Sequence, residues 1–166
     1  MQSLLDFPDL TVPSTEERSR QTPETNWTID LAIAVNADTR RIFQALTVPE
    51  YLEAWIDMPD QAAGSRVVAS QETNGYRLDH YSGGHATVHI TGSYLFCHQR
   101  KLRLFWRKIC RESSTESLVD FRLRGNFGSS ILELRHSALD SAEEFYWHRR
   151  FWQGSLGKLA LLLRSA

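Results

Sequence analysis

Six histidines, two cysteines and one basic run are the side chains whose types and spacing admit chemistry. His80, His85, His89, His98, His136 and His148 show no HxH or HExxH spacing. On a strand His85 and His89 share a face but stand about 13 Å apart, too far for one zinc at roughly 2.0–2.1 Å per ligand. No metal site is expected. His80 and His136 are the candidates for general-base work, since an imidazole titrates near neutrality. No Gly-x-Ser-x-Gly motif is present, and neither Cys97 nor Cys110 has a sequence-identifiable partner, so no catalytic residue is assigned. Gly125-Asn-Phe-Gly128 lacks the lysine and helix of a phosphate loop and reads as a hairpin turn. The run Arg100, Lys101, Arg103, Arg107, Lys108, Arg111 reads as a solvated face.

Those residues must be positioned by the elements the pattern predicts. Ile29, Leu31, Ile33 and Val35 alternate with smaller or polar residues, a strand signal. Asp38 can cap a helix carrying Ile42, Phe43 and Leu46, and Pro49 opens a second short helix with Tyr51, Leu52 and Trp55. Six strands follow: 66–71, 75–81, 85–97, 101–110, 116–124 and 129–137. Turn residues separate them, and the short gaps favour antiparallel pairing. Residues 141–164 read as one long helix, opened by Ser141 with Glu144 three residues on and weakened locally by Gly154 and Gly157.

Strand alternation sorts the side chains into two faces. Val67, Ala69, Tyr76, Leu78, His80, Val88, Ile90, Tyr94, Phe96, Leu102, Leu104, Trp106, Val119, Phe121, Leu123, Leu132, Leu134 and His136 form the face placed against the long helix. Arg77, Asp79, Arg103, Arg107, Asp120, Arg122, Arg124, Glu133 and Arg135 form the outer face. A bulge at Gly92 would flip the assignments on one side of it. Apolar walls with a few fixed polar groups suit a small ligand. The candidate ligand-binding residues are Trp55, Tyr76, Leu78, His80, Tyr94, Trp106, Phe121, Leu134, His136, Phe145 and Trp152.

The element order, together with Ile33-Ala-Val35, Ile42-Phe-Gln-Ala-Leu-Thr-Val-Pro-Glu50, Trp55, Gly92-Ser-Tyr94, Leu102-Arg-Leu-Phe-Trp-Arg107 and Leu132-Glu-Leu-Arg-His-Ser137, resembles the helix-grip fold of the START-like (SRPBCC) superfamily. The similarity is to its activator of heat-shock protein 90 ATPase-like branch and covers about residues 28–164. It departs in the polar N-terminal extension and at Ile56, where many members carry a second tryptophan. The resemblance implies an α+β fold: a curved antiparallel sheet of about seven strands around a long C-terminal helix, two short helices after the first strand, and a cavity between sheet and helix. It implies an apolar or amphipathic ligand. It also implies two alternatives: a cochaperone-like module stimulating a heat-shock protein 90 ATPase, and a polyketide cyclase or aromatase-type enzyme.

Composition bounds these readings. The chain has 166 residues, 42% hydrophobic, with 19 basic and 20 acidic side chains and a net charge of -1. That suits one domain over 27–166, preceded by a polar extension over 1–26, and argues against a nucleic-acid binder. No apolar run approaches the roughly 20 residues of a membrane span. Met1–Pro23 lacks the features of a secretory signal, and the two cysteines are read as free thiols, about 30 Å apart along a hairpin. The expected protein is cytoplasmic, monomeric or homodimeric, needs no cofactor, and binds a small apolar or amphipathic ligand without catalysis.

Overall fold

The computed structural model describes residues 26–59 and 62–164. The expected extension over 1–26 therefore lies outside the described residues except for Asn26. The elements are β1 (Trp27–Val35), α1 (Thr39–Thr47), α2 (Pro49–Trp55), β2 (Arg66–Glu72), β3 (Gly75–Ser82), β4 (His85–His98), β5 (Lys101–Cys110), β6 (Ser113–Asn126), β7 (Ser129–Leu139) and α3 (Ala142–Arg164). The seven strands form one antiparallel sheet in the order β1-β7-β6-β5-β4-β3-β2. The chain leaves the sheet at one edge, crosses through α1 and α2, re-enters at the opposite edge and meanders back beside β1. The long α3 then packs on the inner face. This is the expected α+β helix-grip arrangement, and no helix among the described residues is long and apolar enough to cross a membrane.

Local chemistry sets the joints. The Asp38 carboxylate accepts a hydrogen bond from the Arg41 amide at 2.8 Å and opens α1. Pro49 forces the preceding Val48 into extended backbone, which ends α1 and starts α2 within one residue. The Trp55 indole N–H then donates to the Ala45 carbonyl at 2.8 Å and locks the two short helices together. Ser141 accepts from the Glu144 amide at 3.2 Å and opens α3.

The structure corrects three details of the sequence reading. Gly92 is no bulge: it pairs in register with Tyr76 on one side and Trp106 on the other. It is glycine because a Cβ there would stand 3.0 Å from the Tyr76 ring, which lies across it. The bulge falls instead at Leu95, so Phe96 turns away from the inner face, where alternation had placed it. Leu95 and Phe96 are accordingly 57% and 49% exposed. The turn expected over 112–115 shrinks to Arg111–Glu112, because Arg111 adopts a left-handed φ of 55° and lets β6 start at Ser113.

Gly154, read as a weak point, marks a close approach. A Cβ at this position would lie 2.6 Å from the Asp57 carboxylate. Asp57 sits there because its amide donates to Ser155 Oγ at 2.9 Å and its carboxylate receives Lys158 Nζ at 2.7 Å. The segment after α2 is thereby fastened to α3. Gly154→Ala must displace the Asp57 carboxylate from Lys158, and the loss of that half-exposed pair offsets the better helix propensity, so the stability read from the urea midpoint should change by less than about 1 kcal/mol.

Candidate ligand site

The pairing registers lay the inner face out as rows. One runs Val67–His80–Val88–Cys110, the next Leu78–Ile90–Lys108–Thr115, then Tyr76–Gly92–Trp106–Ser117, then Tyr94–Leu104–Val119–His136. Leu102, Phe121 and Leu134 make a fifth row. Ten of the eleven candidate residues lie on or against this surface with Trp106 at its centre. Trp106 meets Tyr76 edge-on at 6.5 Å and Trp152 at 5.3 Å, while Phe121 meets Trp152 edge-on at 5.6 Å. Trp55 is fully buried under α1, and Leu78 and Leu134 are core. Phe145 stands apart, packed on Trp27 at 5.2 Å near the start of β1.

The two halves of the inner face differ. Over β5–β7 it is closed, because α3 seats Phe151, Trp152, Leu156 and Leu159 onto it. Over β2–β4, Val67, Ala69, Val88 and Tyr94 remain half-buried around the buried Leu78, Ile90 and Tyr76. Burial pushes the Tyr76 phenol strongly up, and the Tyr94 phenol rises to about 12, with the hydroxyl 3.5 Å from the Thr47 carbonyl.

The closed half holds a polar network that the sequence reading only half anticipated. Trp106 Nε1–H donates to His148 Nε2 at 3.3 Å, and Trp152 Nε1–H donates to His136 Nδ1 at 2.9 Å. An indole can only donate, so each contact fixes a tautomer. His136 must carry its proton on Nε2 and gives it to Ser117 Oγ, 2.7 Å away. His148 carries its proton on Nδ1 and gives it to the Glu144 carbonyl at 2.9 Å. Ser117 therefore receives a hydrogen bond from His136 instead of losing a proton to it, which leaves no activated nucleophile. Both lone pairs that a general base would use are engaged.

Lys108 and Glu144 complete the network, and neither was assigned this place. Lys108 belongs to the run read as solvated, yet its Nζ is buried 2.7 Å from Glu144 Oε1 and 4.2 Å from the Trp147 ring centre. Alternation held the signal, since Lys108 is two residues from Trp106 and shares its face. Glu144 was read as a capping residue. Its amide does meet Ser141, but its carboxylate turns to Lys108 and, at 3.3 Å, to the Thr115 hydroxyl.

The second polar feature is His80. It is 6% exposed, and its Nδ1 lies 2.9 Å from Thr87 Oγ1, while its Nε2 is buried without a partner. Burial lowers its pKa, so the ring is neutral near pH 7.

Across the sheet, the outer face bears a shallow trough of about 460 Å³ between Asp30, Ala32, Glu133, Arg135, Asp120, Arg122, Lys101 and Arg103. Most charges there are matched: Arg103 grips Asp120 at 2.6 Å, Arg107 meets Glu116 at 2.6 Å, and Arg124 binds Glu133. Lys101 and Arg122 face one another directly across β5 and β6, a like-charged pair, with Glu133 in register on the other side of Arg122.

These features define a helix-grip domain whose inner face is sealed at one end by a polar network and only half-buried at its edge over β2–β4. Solved structures share the fold. They include protein CV1439 from Chromobacterium violaceum, 18% identical with TM-score 0.66, covering 82% of this chain and 96% of that one. CalU16 from Micromonospora echinospora is 20% identical with TM-score 0.57, covering 82% and 75%. The Aha1 dimer protein from Colwellia psychrerythraea is 19% identical with TM-score 0.58, covering 82% and 96%. No family model and no curated protein matches the sequence.

The histidine network makes stability depend on pH. Burial drives His148 down to about 3, and it drives His136, further opposed by His148, well below 6.5. Between the folded values and 6.5 the unfolded chain binds more protons, so stability is full above about pH 6.5 and falls as the solution is acidified toward 3. His148→Gln should flatten this dependence by up to about 1.4 kcal/mol per pH unit, measured by urea unfolding at several pH values.

Proposed function

We propose that this domain is a non-enzymatic binding module for a small apolar or amphipathic molecule, received on the inner face over β2–β4. The observation that carries the reading is the half-burial of Val67, Ala69, Val88 and Tyr94 beside a fully buried core. A ligand covering that surface would remove apolar area from water at roughly 25 cal/mol per Å². Tyr94 supplies a hydroxyl at the rim, and the buried Tyr76, Leu78 and Ile90 support the half-buried side chains from beneath. The closed half contributes rigidity rather than chemistry: His136 has no free lone pair, so the cyclase or aromatase reading draws no support from it.

The test is saturable binding of a naphthalene probe, 2-naphthol or 2-methoxynaphthalene, to the full chain, followed through tryptophan fluorescence. Val88→Arg should weaken binding at least about tenfold, with the thermal midpoint nearly unchanged, because the side chain is half-buried. Absence of saturable binding of both probes, or binding indifferent to this substitution, would remove the reading.

The outer-face trough supports a second reading, a protein-interaction module of the cochaperone kind. A partner supplying acidic groups would relieve the opposed Lys101 and Arg122. Capture of the host heat-shock protein 90 by the immobilised domain, abolished by Lys101→Glu with Arg122→Glu, is the expected outcome under that reading. Equal capture by both forms would refute a role for the trough.

A further inference from the structure

Beside the half-buried inner face, His80 carries a buried nitrogen without a hydrogen-bond partner. Two contacts fix the tautomer of this ring. Its Nδ1 lies 2.9 Å from Thr87 Oγ1, and the same hydroxyl lies 3.3 Å from the His80 carbonyl oxygen. A threonine hydroxyl owns one proton. If that proton goes to the carbonyl, Nδ1–H donates to Oγ1 and both contacts are hydrogen bonds. If it goes to Nδ1, two acceptor oxygens are left facing each other. Only the first allocation satisfies both contacts, so the proton sits on Nδ1 and Nε2 carries a bare lone pair.

That lone pair is buried and has no donor. Buried polar atoms are nearly always paired, and leaving one unpaired costs stability that phenylalanine at the same position would not. The device holding it is built into the sheet. Between His80 and Tyr81 the register of β3 against β4 shifts, and Thr87 is the extra residue of that bulge. The bulge places the hydroxyl that holds the imidazole. The ring's cross-strand neighbours on the inner face are Val67 and Val88, both half-buried, so the buried nitrogen belongs to the row of the apolar surface that α3 does not seal.

Resting on the ligand-binding reading above, we propose that the inner-face ligand is an amphipathic molecule bearing a hydrogen-bond donor, a hydroxyl or an N–H, which it gives to His80 Nε2. Carbonyl, ether and carboxylate groups present only lone pairs to a lone pair and are rejected at this point. Thr87 is the positioning residue: it holds the tautomer without touching the ligand. Selectivity would then follow from a neutral acceptor in an apolar setting, where an unmatched polar group is penalised most. Burial lowers the ring's pKa, which keeps the lone pair available in neutral solution.

The test uses two probes with the same ring system, 2-naphthol with an O–H donor and 2-methoxynaphthalene without one. Both are titrated into the full-length protein near pH 7. 2-Naphthol should bind at least about tenfold more tightly. His80→Phe should bring the ratio close to one by weakening 2-naphthol while the ether keeps its affinity. Thr87→Val should shrink the ratio as well, and thermal unfolding verifies that both variants fold. Nitrogen-15 spectra of the free protein should show His80 protonated on Nδ1 and bare on Nε2, with the Nε2 resonance shifting when 2-naphthol binds. Equal affinities in the unsubstituted protein, with the ether bound, would overturn the donor requirement and leave the ligand-binding reading standing. A ring protonated on Nε2 would overturn it too. Failure of both probes to bind would overturn the ligand-binding reading and, with it, this inference.

Discussion

A tryptophan of the sheet donates to a histidine of the helix, and a tryptophan of the helix donates to a histidine of the sheet. This reciprocal exchange, Trp106 to His148 and Trp152 to His136, is the interaction on which the rest of the arrangement depends. Apolar contact alone would let α3 slide or rotate over a surface of leucines, because burial has no direction. Two directional bonds running in opposite senses between the same pair of elements fix its axial position and rotation together. Both occur in a dry interior, where an unmatched N–H or imidazole nitrogen would be costly. Ser117 and the Glu144 carbonyl take the remaining histidine protons, so all four ring nitrogens are engaged.

Fixing α3 in this way divides the inner face. Its aromatic side closes over β5–β7, and the Lys108–Glu144 pair bridges the start of the helix to β5. A buried ion pair adds little net stability over an apolar pair of the same shape, but breaking it leaves a stranded charge. It therefore acts as a register pin more than as a source of cohesion. The β2–β4 end is left to α2 and the segment after it. That segment is held by Asp57 against the gap at Gly154, and Glu53 of α2 receives the Ala69 amide on edge strand β2. The side chains over β2–β4 stay partly exposed because the single long helix is committed elsewhere. The half-buried edge and the rigid end are two consequences of one placement.

The outer face follows a different rule. Its charges are arranged mostly as cross-strand opposites: Arg103 with Asp120 and Arg107 with Glu116 in register, Arg77 with Asp79 two residues along one strand. Exposed pairs of this sort contribute little individually. Their regularity makes the exception visible, since Lys101 opposite Arg122 is the position where the alternation of sign fails.

Much of this was legible in the chain itself. Period-two alternation from Ile29 to Val35 and through residues 66–139, Pro49 after Val48, and the Ser141 start fixed the kinds of element and their order. These signals are local and obey the geometry of one strand or one turn at a time. Lys108 was read as solvated on its charge, although its spacing from Trp106 puts it on the buried face. The bulges at Thr87 and Leu95 were not legible. A bulge depends on how two strands settle against each other, and one extra residue reverses every face assignment beyond it, as Phe96 shows. Nor did spacing reveal that His136 and His148 were already satisfied by tryptophans, or that His80 was not. Hydrogen-bond partners far apart in sequence are chosen only when sheet and helix pack. The sequence by itself thus determined the elements and the apolar surface they share; tertiary packing decided which polar atoms on that surface are spent and which remains free, because only packing brings a donor within about 3 Å of an acceptor.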